Sequence, residues 1–242
     1  MRYLLNFSFN GNYFYGYNKQ KEKKTVQGEI EKLLSKRFNK IIKITGCSRT
    51  DRNVHSLDHY AHFDVDNKID EEKLRVFLNK SLNGEIYIKS IRKVKNDFHA
   101  RYDVIKKTYL YKINTREYNP TEKDTVMQYN KSIDIKKIKR ISKILTGKHS
   151  FKAFTPSSNL KESYIRTIYD IKIKIEKDYV YIYITGDGFL RYMVRNIVSL
   201  FIDYNENKIN LTDVIEMVEK EKKEKLGKKV IGNALYLYRV YY

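Results

Sequence analysis

The sequence predicts a mixed α/β protein built as two lobes, and three observations lead there. Apolar residues alternate between period-2 and period-3.6 patterns along the chain. The two halves are of similar length, and each offers about four strands and at least two helices. A chain of 242 residues suits one large domain or two small ones, with enough length to bury a hydrophobic core.

The elements follow in order. Residues 2–10 alternate as a strand and lead into a loop rich in Gly, Asn, Tyr and Lys through Lys24. Thr25 predicts an N-cap for a helix whose Val26, Ile30, Leu33, Leu34 and Phe38 share one face. Residues 41–45 read as a short buried strand and 46–56 as a polar loop. Leu57, His59, Ala61, Phe63 and Val65 then alternate as inward strand positions. Asp70 caps a second helix with Leu74, Phe77, Leu78 and Leu82 inward, and strands follow over 85–94 and 107–114. The lobes join near 103–108, which gives an N-terminal lobe over 1–105 and a C-terminal lobe over 106–242.

In the second half, residues 134–146 form a helix with Ile135, Ile138, Ile141 and Leu145 in line and Gly147 as its stop. Residues 164–175 and 179–185 pair as antiparallel strands across Glu176-Lys177-Asp178. An apolar helix runs from Asp187 or Gly188 to about Asp203. A mostly polar helix spans 210–225, and 234–242 is a final strand.

Composition narrows the function. Lys and Arg total 49 against 29 Asp and Glu, a formal net charge of +20. Clustered cations gain affinity for nucleic acid by releasing counterions from phosphates. The competing reading is codon bias: Lys, Asn, Ile and Tyr abound, while only 4 Ala, 2 Pro and 10 Gly occur. No apolar run approaches the ~20 residues of a membrane span, so a cytoplasmic protein without a membrane anchor is expected. Cys47 is the only cysteine, which rules out an internal disulfide and a multi-cysteine zinc site.

Several constellations could carry chemistry. In Gly46-Cys47-Ser48-Arg49-Thr50-Asp51-Arg52-Asn53-Val54-His55 an acid lies between closely spaced arginines. Such a loop can present an ionised carboxylate in a basic groove; equally, Ser, Thr, Asp and Asn make hydrogen-bonded turns. His55, His59 and His62 have a spacing that would make a metal face on a helix. Their neighbours alternate as a strand, which sends His59 and His62 to opposite faces, so no metal is expected. In the helix beginning Phe189-Leu190-Arg191-Tyr192-Met193-Val194-Arg195-Asn196-Ile197, an inward apolar stripe leaves Arg191 and Arg195 one turn apart. Cations oppose the dipole at a helix start, which favours a partner carboxylate or phosphate over solvent. Tyrosines interleave with basic residues at Phe98-His99-Ala100-Arg101-Tyr102 and Lys106-Lys107-Thr108-Tyr109-Leu110-Tyr111-Lys112. That pattern suits stacking on unpaired bases, although most of the 22 tyrosines must fill core and strands.

Taken in order, these segments resemble the tRNA pseudouridine synthase A family. Its central loop reads Gly-Arg-Thr-Asp-Ala-Gly-Val-His, and the run from Ser48 to His55 matches five of the eight positions, continued by Ala61-His62-Phe63. The Phe98–Tyr102 run with Tyr109-Leu110-Tyr111 resembles a second motif, and Gly147-Lys148-His149-Ser150-Phe151-Lys152-Ala153-Phe154 a third. The Met-Val-Arg-Asn-Ile-Val helix is similar to the segment from Phe189 to Val198. Tyr15-Gly16-Tyr17-Asn18-Lys19-Gln20 with Thr25-Val26-Gln27 fits near the start, with Tyr17 in place of the family's Trp, and Leu235-Tyr236-Leu237 matches the closing strand.

The resemblance implies two similar lobes sharing a central, mainly antiparallel sheet flanked by helices. It implies an isomerase that converts uridine to pseudouridine in folded RNA without cofactor or metal. Asp51 would be the catalytic carboxylate, by attack on C1′ or by removing a sugar proton, with Arg195 as its arginine partner. Arg49 would enter the RNA stack in place of the flipped base, and Tyr109 would stack on the flipped uracil. The implied partners are tRNA, at the anticodon stem-loop, and a second copy of the chain in a homodimer. Ser48, Arg52, Asn53 and Ala234 depart from the family's small residues. Asn53 tolerates left-handed backbone, whereas Arg52 adds bulk and charge beside the acid. These changes leave two alternatives: a paralogue acting on ribosomal RNA, and a non-catalytic RNA-binding protein that keeps the fold.

Overall fold

The structure is a computed structural model and describes residues 1–156, 163–222 and 227–242. In chain order its strands are β1 (Arg2–Phe9), β2 (Thr45–Gly46), β3 (His55–Asp64), β4 (Ile86–Val94), β5 (Lys106–Asn114), β6 (Met127–Gln128), β7 (Gly147–Ser150), β8 (Ile165–Glu176), β9 (Tyr179–Gly186) and β10 (Leu235–Tyr241). The helices are α1 (Val26–Phe38), α2 (Glu71–Ser81), α3 (Ile135–Leu145), α4 (Met193–Asn205) and α5 (Leu211–Glu219). The chain divides into two compact units, Met1–Ile105 with Tyr236–Tyr242, and Lys106–Leu235. Mixed α/β architecture with mainly antiparallel pairing is therefore found in each.

The first unit orders its sheet β4-β1-β3-β10, with β2 beside β3. β1 is antiparallel to β3 and β4, whereas β10 runs parallel to β3, pairing Tyr236 with His55 and Leu237 with Ser56. Tyr3, Leu5, Phe7 and Phe9 of β1, with Ala61, Phe63, Ile86 and Ile88, form a core with Val26, Ile30, Leu34, Leu74 and Leu78 of the two helices. Both helices begin where the sequence places their caps. The Thr25 hydroxyl accepts from the Gly28 amide and the Asp70 carboxylate from the Lys73 amide.

Two local expectations fail here. Ile41–Thr45 makes no strand before Thr45, because its backbone bonds to α1 instead. The Ile42 amide donates to Ser35 Oγ at 2.9 Å and the Ile44 amide to Glu31 Oε1 at 3.1 Å. Leu57 points outward, 39% exposed, because the β1–β3 register shifts between Phe7 (opposite His59) and Phe9 (opposite Ser56). The extra residue on β3 reverses the alternation beyond it.

The second unit orders its sheet β5-β9-β8-β7, all antiparallel, with β6 parallel to β5. Ile138, Ile141 and Leu145 of α3 are buried, as the period predicts. Gly147 follows the α3 cap at φ 115° and opens β7; that strand and β6 were too short to show a period. α4 starts at Met193, several residues later than expected, because Tyr192 takes a left-handed φ of 62°. Arg191 thus precedes the helix instead of lying one turn below Arg195. α5 ends at Glu219, with a capping box between Asn210 and Asp213; part of the expected span, 223–225, lies outside the described residues. Among the described residues no helix is long and apolar enough to cross a membrane.

Candidate active site

The Asp51 loop of the first unit is held from both ends. At its start the Cys47 amide donates to the Tyr60 carbonyl at 2.8 Å, and the Tyr60 amide returns a bond to Cys47 Sγ at 3.4 Å. His59 lies beneath, with Nδ1 3.8 Å from Cys47 Sγ and Nε2 3.1 Å from the Ser48 carbonyl. A carbonyl can only accept, so Nε2 carries the proton, and Nδ1 is left to accept from the thiol. His59 is buried and stacks on Tyr17 with ring centroids 4.4 Å apart. Burial, then the neighbouring Cys47 and Glu31, hold the Tyr17 hydroxyl well above its usual pKa and keep it neutral.

At its far end the loop closes by a turn in which the Val54 amide donates to the Asp51 carbonyl at 3.2 Å. Asn53 occupies the third position of that turn at φ 65°, the conformation that a glycine would take without strain and that Asn tolerates. The β1–α1 loop lies against this turn. The Tyr17 amide donates to the Thr50 carbonyl at 3.1 Å, and Gly16, at φ 97°, could accept no side chain without pressing within 3.0 Å of that carbonyl. The Arg52 guanidinium lies 4.5 Å from the centroid of the Tyr15 ring. Arg49 is exposed and Asp51 half-buried. The loop carries Asp51 between Arg49 and Arg52 in sequence, on backbone that is tied at several points.

In the second unit Tyr109 sits mid-strand on β5, opposite Ile184, and is only 7% exposed. Phe189 meets it edge to face at 5.1 Å, which explains why the chain after β9 turns over the sheet before α4 begins. Arg195 lies in the first turn of α4 and is half-buried. Its Nε donates to the Val230 carbonyl at 2.7 Å, and its guanidinium stands 5.4 Å from the Tyr192 ring centroid. So Arg49 and Asp51 share one loop of the first unit, while Tyr109 and Arg195 belong to β5 and α4 of the second.

Sequence reasoning missed His59 as a support of the loop, because strand alternation shows which face it occupies and not what it bonds. It also missed Lys229, whose ammonium lies 4.6 Å from the Tyr192 centroid and whose polar surroundings carry no pattern. His55 and His62 each accept a backbone amide through Nδ1, from Gly11 and Ala100 respectively. Among the described residues no group of three or more His, Cys, Asp and Glu is placed to hold a metal ion.

Known proteins match this sequence from end to end. A family described as tRNA pseudouridine synthase matches residues 7–103 and 141–242, which include Arg49, Asp51 and Arg195. A tRNA pseudouridine synthase A of Malacoplasma penetrans is 43% identical over 244 residues, covering all of both chains. One from Mycoplasmoides gallisepticum is 38% identical, covering 99% of this chain and 90% of its own. A tRNA pseudouridine synthase A 2 of Bacillus cereus is 35% identical over 98% of each. Matches of this extent, spanning the tied Asp51 loop in one unit and α4 in the other, make the chain a member of the tRNA pseudouridine synthase family.

Proposed function

We propose that the chain isomerises uridine to pseudouridine in tRNA, with Asp51 as the catalytic carboxylate. The reaction breaks the N1–C1′ bond, turns the base and joins C5 to C1′; the proton lost from C5 is balanced by one gained at N1. No oxidant, reductant or group donor is required. The observation that carries the reading is the Asp51 loop, a carboxylate between Arg49 and Arg52 whose backbone is held by Tyr17, His59 and its own turn. Such fixing keeps the acid where a bound sugar would meet it, and orientation of this kind supplies much of an enzyme's advantage.

In this reading Arg49, exposed on the same loop, fills the stack left by a flipped nucleotide. Tyr109 offers its ring to the displaced uracil, and Arg195 partners the Asp51 carboxylate. The anticodon stem-loop is the target, the working form is a homodimer, and the compartment is the cytoplasm. The competing idea of a non-catalytic RNA binder is separated by a single experiment. The purified protein is incubated with an unmodified tRNA transcript and, in parallel, ribosomal RNA, and pseudouridine is mapped chemically. Product is expected in the tRNA anticodon arm. Asp51→Asn should lower single-turnover conversion by roughly 10³-fold or more while retaining RNA affinity. An active Asn variant overturns the site, and intact binding with no product in either RNA overturns the activity.

A further inference from the structure

Tyr192 gathers charge. Its ring has the Lys229 ammonium at 4.6 Å from the centroid, the Arg191 guanidinium at 4.7 Å and that of Arg195 at 5.4 Å. Arg191 also donates from Nη2 to the Tyr192 hydroxyl at 2.9 Å. Arg191 and Lys229 are exposed, and Tyr192 is half-buried.

This convergence is imposed by the backbone. The segment before α4 reaches Tyr192 in a left-handed conformation that a bulky residue adopts only under constraint. Lys229 arrives from a strap laid along α4. Arg195 donates to the Val230 carbonyl at 2.7 Å, Ser199 to the Lys228 carbonyl at 2.9 Å, and the Gly227 amide donates to Asp203 at 3.2 Å. Positions 195, 199 and 203 lie one turn apart on a helix, so a single stripe of α4 grips the strap and fixes where Lys229 points.

Three like charges around one neutral ring repel one another, and a cation–π contact at an exposed site is a weak recompense. An anion completes the group. We infer that Arg191, Lys229 and the Tyr192 hydroxyl bind a phosphodiester of the RNA substrate before the first turn of α4. The Arg fork suits two phosphate oxygens, the ammonium adds a point charge, and the hydroxyl has a proton to donate. RNA is favoured over an acidic protein segment because the whole chain carries +20 and belongs to an RNA-modifying family. The inference rests on the function proposed above and adds Arg191 and Lys229 to it as substrate-binding residues.

The test measures affinity of the full chain for an anticodon stem-loop RNA across a salt series. The log–log slope of affinity against salt reports how many phosphates are neutralised. Arg191→Gln and Lys229→Gln should each flatten that slope by about 0.7–0.9 and weaken binding several-fold at low salt. Arg191→Lys and Lys229→Arg should restore the slope, which a purely structural role would not do. Thermal melts show that the variants remain folded. Unchanged slopes in folded Gln variants overturn the site. Slopes that stay fixed while the sedimentation coefficient falls overturn it too, and assign the cluster to contact between copies. A wild-type chain that binds the stem-loop, responds to these variants and forms no pseudouridine refutes the enzymatic reading and leaves the phosphate site standing.

Discussion

His62 shows how a single side chain can be committed to one protonation state. It is buried on the face of β3 away from the helices, and its Nδ1 accepts the Ala100 amide at 3.0 Å. That bond needs an unprotonated nitrogen. Burial first, then the nearby Arg2 and His99 charges, lower its pKa from 6.5 to about 4. The unfolded chain therefore binds a proton that the folded chain refuses between those values. His62 contributes stability in full above about pH 6.5 and loses it progressively as pH falls towards 4. Denaturant midpoints measured from pH 7 to 4 should fall, and His62→Asn, whose side-chain oxygen can still accept, should shallow the decline. The alternation of β3 placed His59 and His62 on opposite faces from sequence alone. What each bonds was not legible, because Ala100 and Ser48 reach them through the fold.

At the level of elements, legibility followed local chemistry. Thr25 and Asp70 were readable as caps, and the hydroxyl and the carboxylate each accept the expected amide near the start of the helix. The start of α4 was not readable. Its apolar period extends back to Leu190, but Phe189 packs on Tyr109 and Tyr192 turns left-handed, and both causes lie in tertiary contacts. Ile41–Ile44 misled for a similar reason, since side chains of α1 took the bonds a strand would have used. The strap along α4 is another contact that no period reveals. Ser199 is 3% exposed and donates to the Lys228 carbonyl, so Ser199→Ala removes a part-buried bond that ties the strap to α4. Loss of about 1 kcal/mol is expected, measurable as a lower urea midpoint. Hydrogen exchange should quicken in 227–230 and stay unchanged in α3, because the effect is confined to the strap.

For the molecule as a whole, the +20 charge divides into two roles. Most of the lysines form a diffuse field, and salt bridges such as Lys40–Asp66 or Lys73–Asp70 engage only part of them. Such a field grips RNA without regard to sequence, so affinity for an unrelated tRNA should fall roughly 10³-fold between 50 and 200 mM salt. A fall of tenfold or less in a filter-binding series would show that few lysines meet phosphate. The second role is local: Arg49 shares the Asp51 loop of the first unit, and Arg191, Arg195 and Lys229 gather around Tyr192 in the second. The candidate residues came to notice in the sequence where motif residues are contiguous, as from Ser48 to His55, and Tyr109 and Arg195 were singled out by resemblance alone. Lys229 stayed hidden because its place depends on a backbone segment that has no signature of its own.

The parallel pairing of β10 with β3 also has a bearing on how the chain is made. The first unit's sheet is completed by Tyr236–Tyr242, residues that leave the ribosome only after all of Lys106–Leu235. Synthesis order is therefore the reverse of what the two units' positions suggest. Strands β5 to β9 have all emerged while β3 still lacks its pairing with β10. Until Tyr236–Tyr242 emerge, the start of β3 at His55–Ser56, which follows the Asp51 loop, lacks its parallel partner. The sheet that carries the Asp51 loop is thus completed late, although the loop is encoded in the first quarter of the sequence.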